Sequence, residues 1–144
     1  MVRRYSGLRW RGNNPGPLTA MDSWETWNTF DERWSAAFAA EYIDGMHFTD
    51  YICEVDALIR GANFRGALEI IRSVVERLAV RSDLIGQEIP LWWVTTGACI
   101  ARKVDDYQSE LWFYDTWIRH QAVGTRRRRV AEARRRCQLR LATN

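Results

Sequence analysis

Proline is missing from Leu18 to Ile89 and again from Leu91 to Asn144. Proline deletes a helix hydrogen bond and clashes with the preceding turn, so this gap opens nearly all of the chain after residue 20 to long helices. Pro15 and Pro17 fall instead in a Gly/Pro/Asn-rich, acid-free start, residues 1–21. That stretch reads as an extended basic arm anchored by Tyr5, Leu8 and Trp10. With 144 residues and 47% apolar content, the remainder suffices for one domain with a core and is too apolar for disorder throughout. The longest uncharged apolar run, Ile89 to Ala101, has 13 residues. A bilayer-spanning helix needs roughly 20, so no membrane partner is expected.

Apolar residues recur at helical spacing in six places. Trp24, Trp27, Phe30, Trp34, Phe38 and Tyr42 mark a first helix that opens at Asp22 or Ser23 and stops at Gly45. A second begins at Thr49 or Asp50, carries Ile52, Val55, Leu58 and Ile59 on one stripe, and breaks at Gly61-Ala62-Asn63. A third is predicted from Phe64 to Leu78 through Leu68, Ile71 and Val75, followed by a loop over 81–90. Pro90 suits the start of a fourth, about 91–103. A fifth covers about 106–121, with Tyr107, Leu111, Tyr114, Trp117 and Ile118 on one side, and Thr125 opens a sixth that runs to about 141. No stretch alternates as a strand does. The expected fold is all-α, a helical hairpin stack of about six helices. Its parts are the basic arm (1–21), a helical domain with two repeat-like hairpins (22–121), and an arginine-rich C-terminal helix (122–144).

Asn63-Phe64-Arg65-Gly66-Ala67-Leu68 aligns with Asp106-Tyr107-Gln108-Ser109-Glu110-Leu111, and the match runs on to Val75 and Ile118. The offset is 43 residues, and each copy follows an amphipathic helix and a tight turn. Trp93, Gly97 and Ile100, then Asp106-Tyr107, Leu111, Tyr114 and Ile118, resemble the two-helix pattern of the tetratricopeptide repeat over about residues 49–120. Glu110 and Trp117 occupy positions where that motif has small residues. The resemblance implies a scaffold that binds peptides or protein surfaces and carries no chemistry. The lysine/asparagine clamp of some family members has no counterpart, because the matching face reads Val94, Thr95 and Ala98.

Charge divides the chain in three. Residues 1–21 carry +4, residues 22–120 carry −8, and residues 121–144 carry +7. Among the 21 basic residues Lys103 is the single lysine, and arginine adds planar, bidentate hydrogen bonding. Cys53, Cys99 and Cys137 are odd in number and widely spaced, which is no disulfide framework and points to a reducing cytoplasm. Arg3-Arg4 lack the apolar stretch that follows a twin-arginine export signal.

No phosphate loop, Cys-x-x-Cys pair, His-Glu-x-x-His or Gly-x-Ser-x-Gly is present. His47, Asp50 and Glu54 share a helical face with metal-ligand chemistry, though a solvated helix start is the simpler reading. Cys53 or Cys99 with His120 would make a thiol pair, but both cysteines lie in apolar patterns and are expected to be buried. No metal or cofactor is therefore expected. Trp92 and Trp93 point about 100° apart, so they are not both expected to be fully buried, and Trp112 falls off its helix's stripe; packing between the repeats is one reading of these rings and an exposed aromatic patch the other. Trp92 and Trp112 are accordingly candidate partner anchors. Arg126, Arg127, Arg128, Arg129, Arg134, Arg135, Arg136 and Arg140 surround a narrow stripe of Val130, Ala133, Cys137 and Leu141, a face that can dock while the arginines fan out. Three partners are open for these arginines: the chain's own acidic body, in cis or across a homo-oligomer; an acidic protein; or nucleic-acid phosphates. The functional expectation is a non-enzymatic protein-interaction module with an aromatic and arginine surface. The alternative is a small RNA- or DNA-associated protein gripping phosphates with both arginine-rich ends.

Overall fold

The computed structural model describes residues 22–120 and 124–144. The expected basic arm lies outside them, as do the side chains of Trp24 and Trp27. Six helices are described: α1 (Asp22–Ala40), α2 (Ile52–Arg60), α3 (Phe64–Ile85), α4 (Leu91–Lys103), α5 (Tyr107–Arg119) and α6 (Thr125–Thr143). α1 and α2 both pack on α3, α3 on α4, α4 on α5, and α5 on α6. The fold is all-α, a stack of helices around a core of Val55, Ile71, Val74, Leu78, Trp93, Val94, Phe113 and Trp117.

The two hairpins, α2–α3 and α4–α5, turn in the same way at the 43-residue offset. Ala62 and Asp105 both take φ +58°, in the left-handed region. Asn63 and Asp106 follow as N-caps, their side chains accepting from Gly66 N–H and Ser109 N–H, each at 3.1 Å. The Asn63 amide donates to Leu58 O at 2.8 Å, and the Asp106 amide donates to Ala101 O at 2.8 Å. The repeat in the sequence is thus a repeat in backbone geometry.

The first helix ends at Ala40, not at Gly45. The chain then forms a two-stranded antiparallel hairpin, β1 (Tyr42–Ile43) and β2 (Met46–His47), and a 3-10 turn over Phe48–Tyr51. Asp44 and Gly45 both have positive φ, +51° and +80°, the conformation that a two-residue hairpin turn requires. Gly45 is therefore a hairpin glycine rather than a helix stop. The early helix end takes Tyr42 off the long aromatic stripe, and Phe38, still within α1, is on its open side. Trp34 is buried, whereas Phe38 and Tyr42 are exposed.

α3 continues to Ile85, through the first half of the stretch predicted as a loop, while 86–90 are non-helical as expected; Gly86, at φ +68°, caps the helix with a 2.8 Å bond from its amide to Ser82 O. Its 22 residues exceed the 13 of α5 by nine. That excess lengthens the offset between the two hairpins, which is 43 residues. The added length holds the end of α1. Arg77 Nη2 donates to Ala39 O at 2.9 Å, and the buried Arg81 donates to Glu41 Oε1 at 3.0 Å and to Glu88 O at 3.3 Å.

Candidate functional site

α6 is seated by the stripe its sequence presents. Val130 and Cys137 are buried and Ala133 and Leu141 half-buried against α5. At the far end the seat is ionic. Glu110 of α5, fully buried, receives Arg140 Nη2 at 3.0 and 2.9 Å on its two oxygens and the Tyr114 hydroxyl at 2.9 Å. Arg102 of α4 approaches the same carboxylate at 4.0 Å. Burial, then the hydrogen bond to Glu110, pushes the Tyr114 hydroxyl well above its ordinary range. Burial first and the Glu110 carboxylate second push the Cys137 thiol up to about 11, so it stays protonated and donates to Tyr107 O at 3.3 Å. Midway along the interface Arg134 pairs with Asp115. In the first hairpin the position equivalent to Glu110 is the buried Ala67. The charged residue at a small-residue position is thus the receptor for the arginine-rich helix. Glu110, Tyr114 and Arg102 were not among the expected site residues, and an acid at that motif position was the available signal.

The tail arginines therefore separate into two groups. Arg134 and Arg140 belong to the seat. Arg126, Arg128, Arg129, Arg135 and Arg136 are exposed, and none has an acidic partner among the described residues. Arg127 is half-buried and engaged. Arg128 and Arg135 are seven residues apart, two helical turns, so they share the outer face of α6 with the 62% exposed Leu139.

The two tryptophans have different settings. Trp93 is buried, and Trp92 is 42% exposed with its ring edge-on to Trp93 at 4.9 Å. Trp92 ends an aromatic row that continues through Trp93, Phe48 and His47 to the exposed Tyr42. Trp112 is half-buried, its ring covered by the Arg72 guanidinium of α3 at 4.4 Å. The open side of α4 carries Trp92, Thr95 and Cys99, whereas Val94 and Ala98, placed on that face by the repeat alignment, are buried. A cleft of about 270 Å³ runs between this side and the α2–α3 turn, lined by Ile59, Phe64, Thr95, Thr96, Cys99 and Lys103.

Cys53 and Cys99 are exposed, not buried as expected, and Cys137 is the buried thiol. Cys53 sits two residues from the buried Val55, about 200° around α2, which turns it outward. His120 meets neither exposed cysteine. Its ring nitrogens face Thr116 O at 2.7 Å and Asp83 Oδ1 at 2.9 Å. His47 caps the 3-10 turn, accepting at Nδ1 from Thr49 N–H at 3.3 Å, and its Nε2 faces Glu41 at 3.3 Å. Among the described residues no group of three His, Cys, Asp or Glu side chains could hold a metal ion, and no helix is long and apolar enough to cross a membrane. Comparison with protein-family models, curated proteins and solved structures finds no match.

Proposed function

We propose that this chain is a non-enzymatic, tetratricopeptide-like interaction module that docks on an acidic protein surface through the outer face of α6, with Trp92 as a second anchor. The repeat assignment rests on the shared turn geometry and on Gly97, which lies at the motif's glycine position on α4. A Cβ there would come within 2.6 Å of Phe113 and 2.8 Å of Ile71, so α4 packs against α3 and α5 as closely as a glycine allows.

The observation that carries the docking role is the cost of the first turn of α6. Arg126 and Arg128 stand there exposed beside the engaged Arg127, Arg129 follows at the start of the second turn, and the first turn has no acidic residue. A helix N-terminus carries a partial positive charge, so each arginine there opposes folding. Like charges three or four apart add a further small penalty. A contact with an acidic surface would offset that cost. Three free cysteines fit a reducing cytoplasm as the place where that contact is made.

Five exposed arginines also suit phosphates, and that second reading predicts its own signature. Affinity for duplex DNA would fall with salt at a logarithmic slope of about −4 to −5 if all five made contacts. The acidic remainder of the chain repels a nucleic-acid backbone laid across it, which favours the protein reading. The deciding experiment is capture of partners from the source cells on the immobilised chain, with nuclease present, beside an R128E/R135E variant. A defined protein held by the wild type and lost by the variant supports the proposal. Retention of material only without nuclease, with the steep salt slope, replaces it with the nucleic-acid reading.

A further inference from the structure

The two edges of the stack carry opposite charge. Residues 22–60, which contain α1 and α2, hold nine acidic and two basic residues, net −7. Residues 124–144, which contain α6, hold eight arginines and one acid, net +7, while residues 61–123 between them amount to −1. α1 and α2 pack on α3 and α6 packs on α5, so these charges stand at opposite ends of the packing order. On the first edge Asp31, Glu32, Asp44, Asp50, Glu54 and Asp56 are exposed, and none enters an ion pair among the described residues. On the last edge the same holds of the five exposed arginines.

We propose that the chain associates head to tail, the basic outer face of α6 in one copy docking on the acidic α1–α2 edge of a second copy. The inference rests on the reading of that α6 face as a docking surface and names its partner. Two-fold pairing of like edges would set +7 against +7 or −7 against −7, which Coulomb repulsion disfavours. Opposite edges attract. The four arginines of residues 1–21 reduce the contrast but leave residues 1–60 at −3. Apolar groups are available on both sides: Leu139 on α6, and Phe38, Tyr42 and Ile52 on the first edge. One helix face, ~28 Å long, buries little area, so the contact is weak and salt-sensitive. Because its two halves are different surfaces, each bound copy offers a fresh edge, and growth does not stop at a dimer unless a ring closes.

The test is sedimentation equilibrium of the full chain from about 10 µM to about 1 mM, at ~0.05 M and ~0.5 M salt. At low salt the average mass should climb with concentration beyond a dimer from the 16.9 kDa monomer, and at high salt it should return to the monomer. R128E/R135E and E32R/D56R change only exposed residues, and each should stay monomeric alone while keeping the wild-type circular dichroism. Mixed one to one, the two should associate again, because each supplies the edge that the other needs. A wild type that is monomeric throughout at low salt overturns the inference, as does association that survives either variant or a mixture that stays monomeric. If the wild type is monomeric yet R128E/R135E loses a captured acidic protein that E32R/D56R retains, the inference fails and the docking role of α6 stands.

Discussion

Glu110 is a buried charge at the position that the buried Ala67 holds in the first hairpin, and its surroundings decide what its loss costs. Removing one partner of a buried ion pair strands the other, typically at about 3–5 kcal/mol, whereas replacing both with apolar groups is often neutral. Arg140→Met leaves the fully buried carboxylate with the Tyr114 hydroxyl and a distant Arg102, and should lower urea stability by about 3 kcal/mol or more. Glu110→Ala combined with Arg140→Met restores the pattern of Ala67 in the first hairpin, and should recover most of that loss. A double variant as unstable as the single one would show that the stranded carboxylate is not the cause. Cys137 offers a second measurement at the same seat. Its thiol is raised from 9.0 to about 11, so the native state holds the proton more tightly than the unfolded chain. The resulting stabilisation is complete below pH 9 and is lost as pH rises towards 11, amounting to about 1–3 kcal/mol. The advantage of the wild type over Cys137→Ala, read from urea midpoints, should therefore shrink between those pH values. A constant difference would mean that neither burial nor the Glu110 carboxylate raises the thiol.

At the scale of elements, Gly97 sets how closely the second hairpin packs on the first. Alanine is the better helix former by about 1 kcal/mol, so propensity alone favours Gly97→Ala. The added methyl would meet Phe113 and Ile71, both fully buried, within 3 Å, where neither can swing into solvent. Overpacking of this kind costs about 1–3 kcal/mol and should win, giving a net loss of stability measurable by urea or thermal melting. An increase would mean that the helices separate freely. The same elements explain what could be read from the sequence. Asn63 and Asp106 cap their helices through local bonds, so both turns, α4 and the docking stripe of α6 were legible from spacing alone. The end of α3 was not, because Arg81 and Ser82 are polar and suggest a loop, yet they are buried, Arg81 by a carboxylate 40 residues earlier in the chain. Asp44-Gly45 gave the hairpin signal, but a glycine after a helical stripe reads equally as a helix stop. Among the site residues, the adjacency of Trp92 and Trp93 implied that both could not be fully buried, but which of them is exposed depends on the packing of α4. The division of the arginines into seat and outer face depended on Glu110 and Asp115 in another helix.

For the whole molecule the question is whether the arginines of α6 hold the fold or serve a contact outside it. Arg134 and Arg140 are paired within the chain, so they contribute to the seat of α6. Arg126, Arg128 and Arg129 are exposed within the first five residues of α6, against the helix dipole and close to one another. Each unfavourable charge at a helix end is worth about 0.3–1 kcal/mol at low ionic strength. Neutralising all three to Gln should therefore raise stability by about 1–2 kcal/mol at low salt, and the gain should fade as the Debye length shrinks to about 3 Å near 1 M. Urea unfolding of the triple variant beside the wild type, at low and at high salt, measures this directly. A loss of more than about 1 kcal/mol would assign these arginines to the fold, through contacts with residues 1–21 or with the acidic body, and would withdraw the argument that they stand ready for a partner. A gain that vanishes with salt leaves them no structural role. That outcome would support the proposed contact of these arginines with an acidic surface.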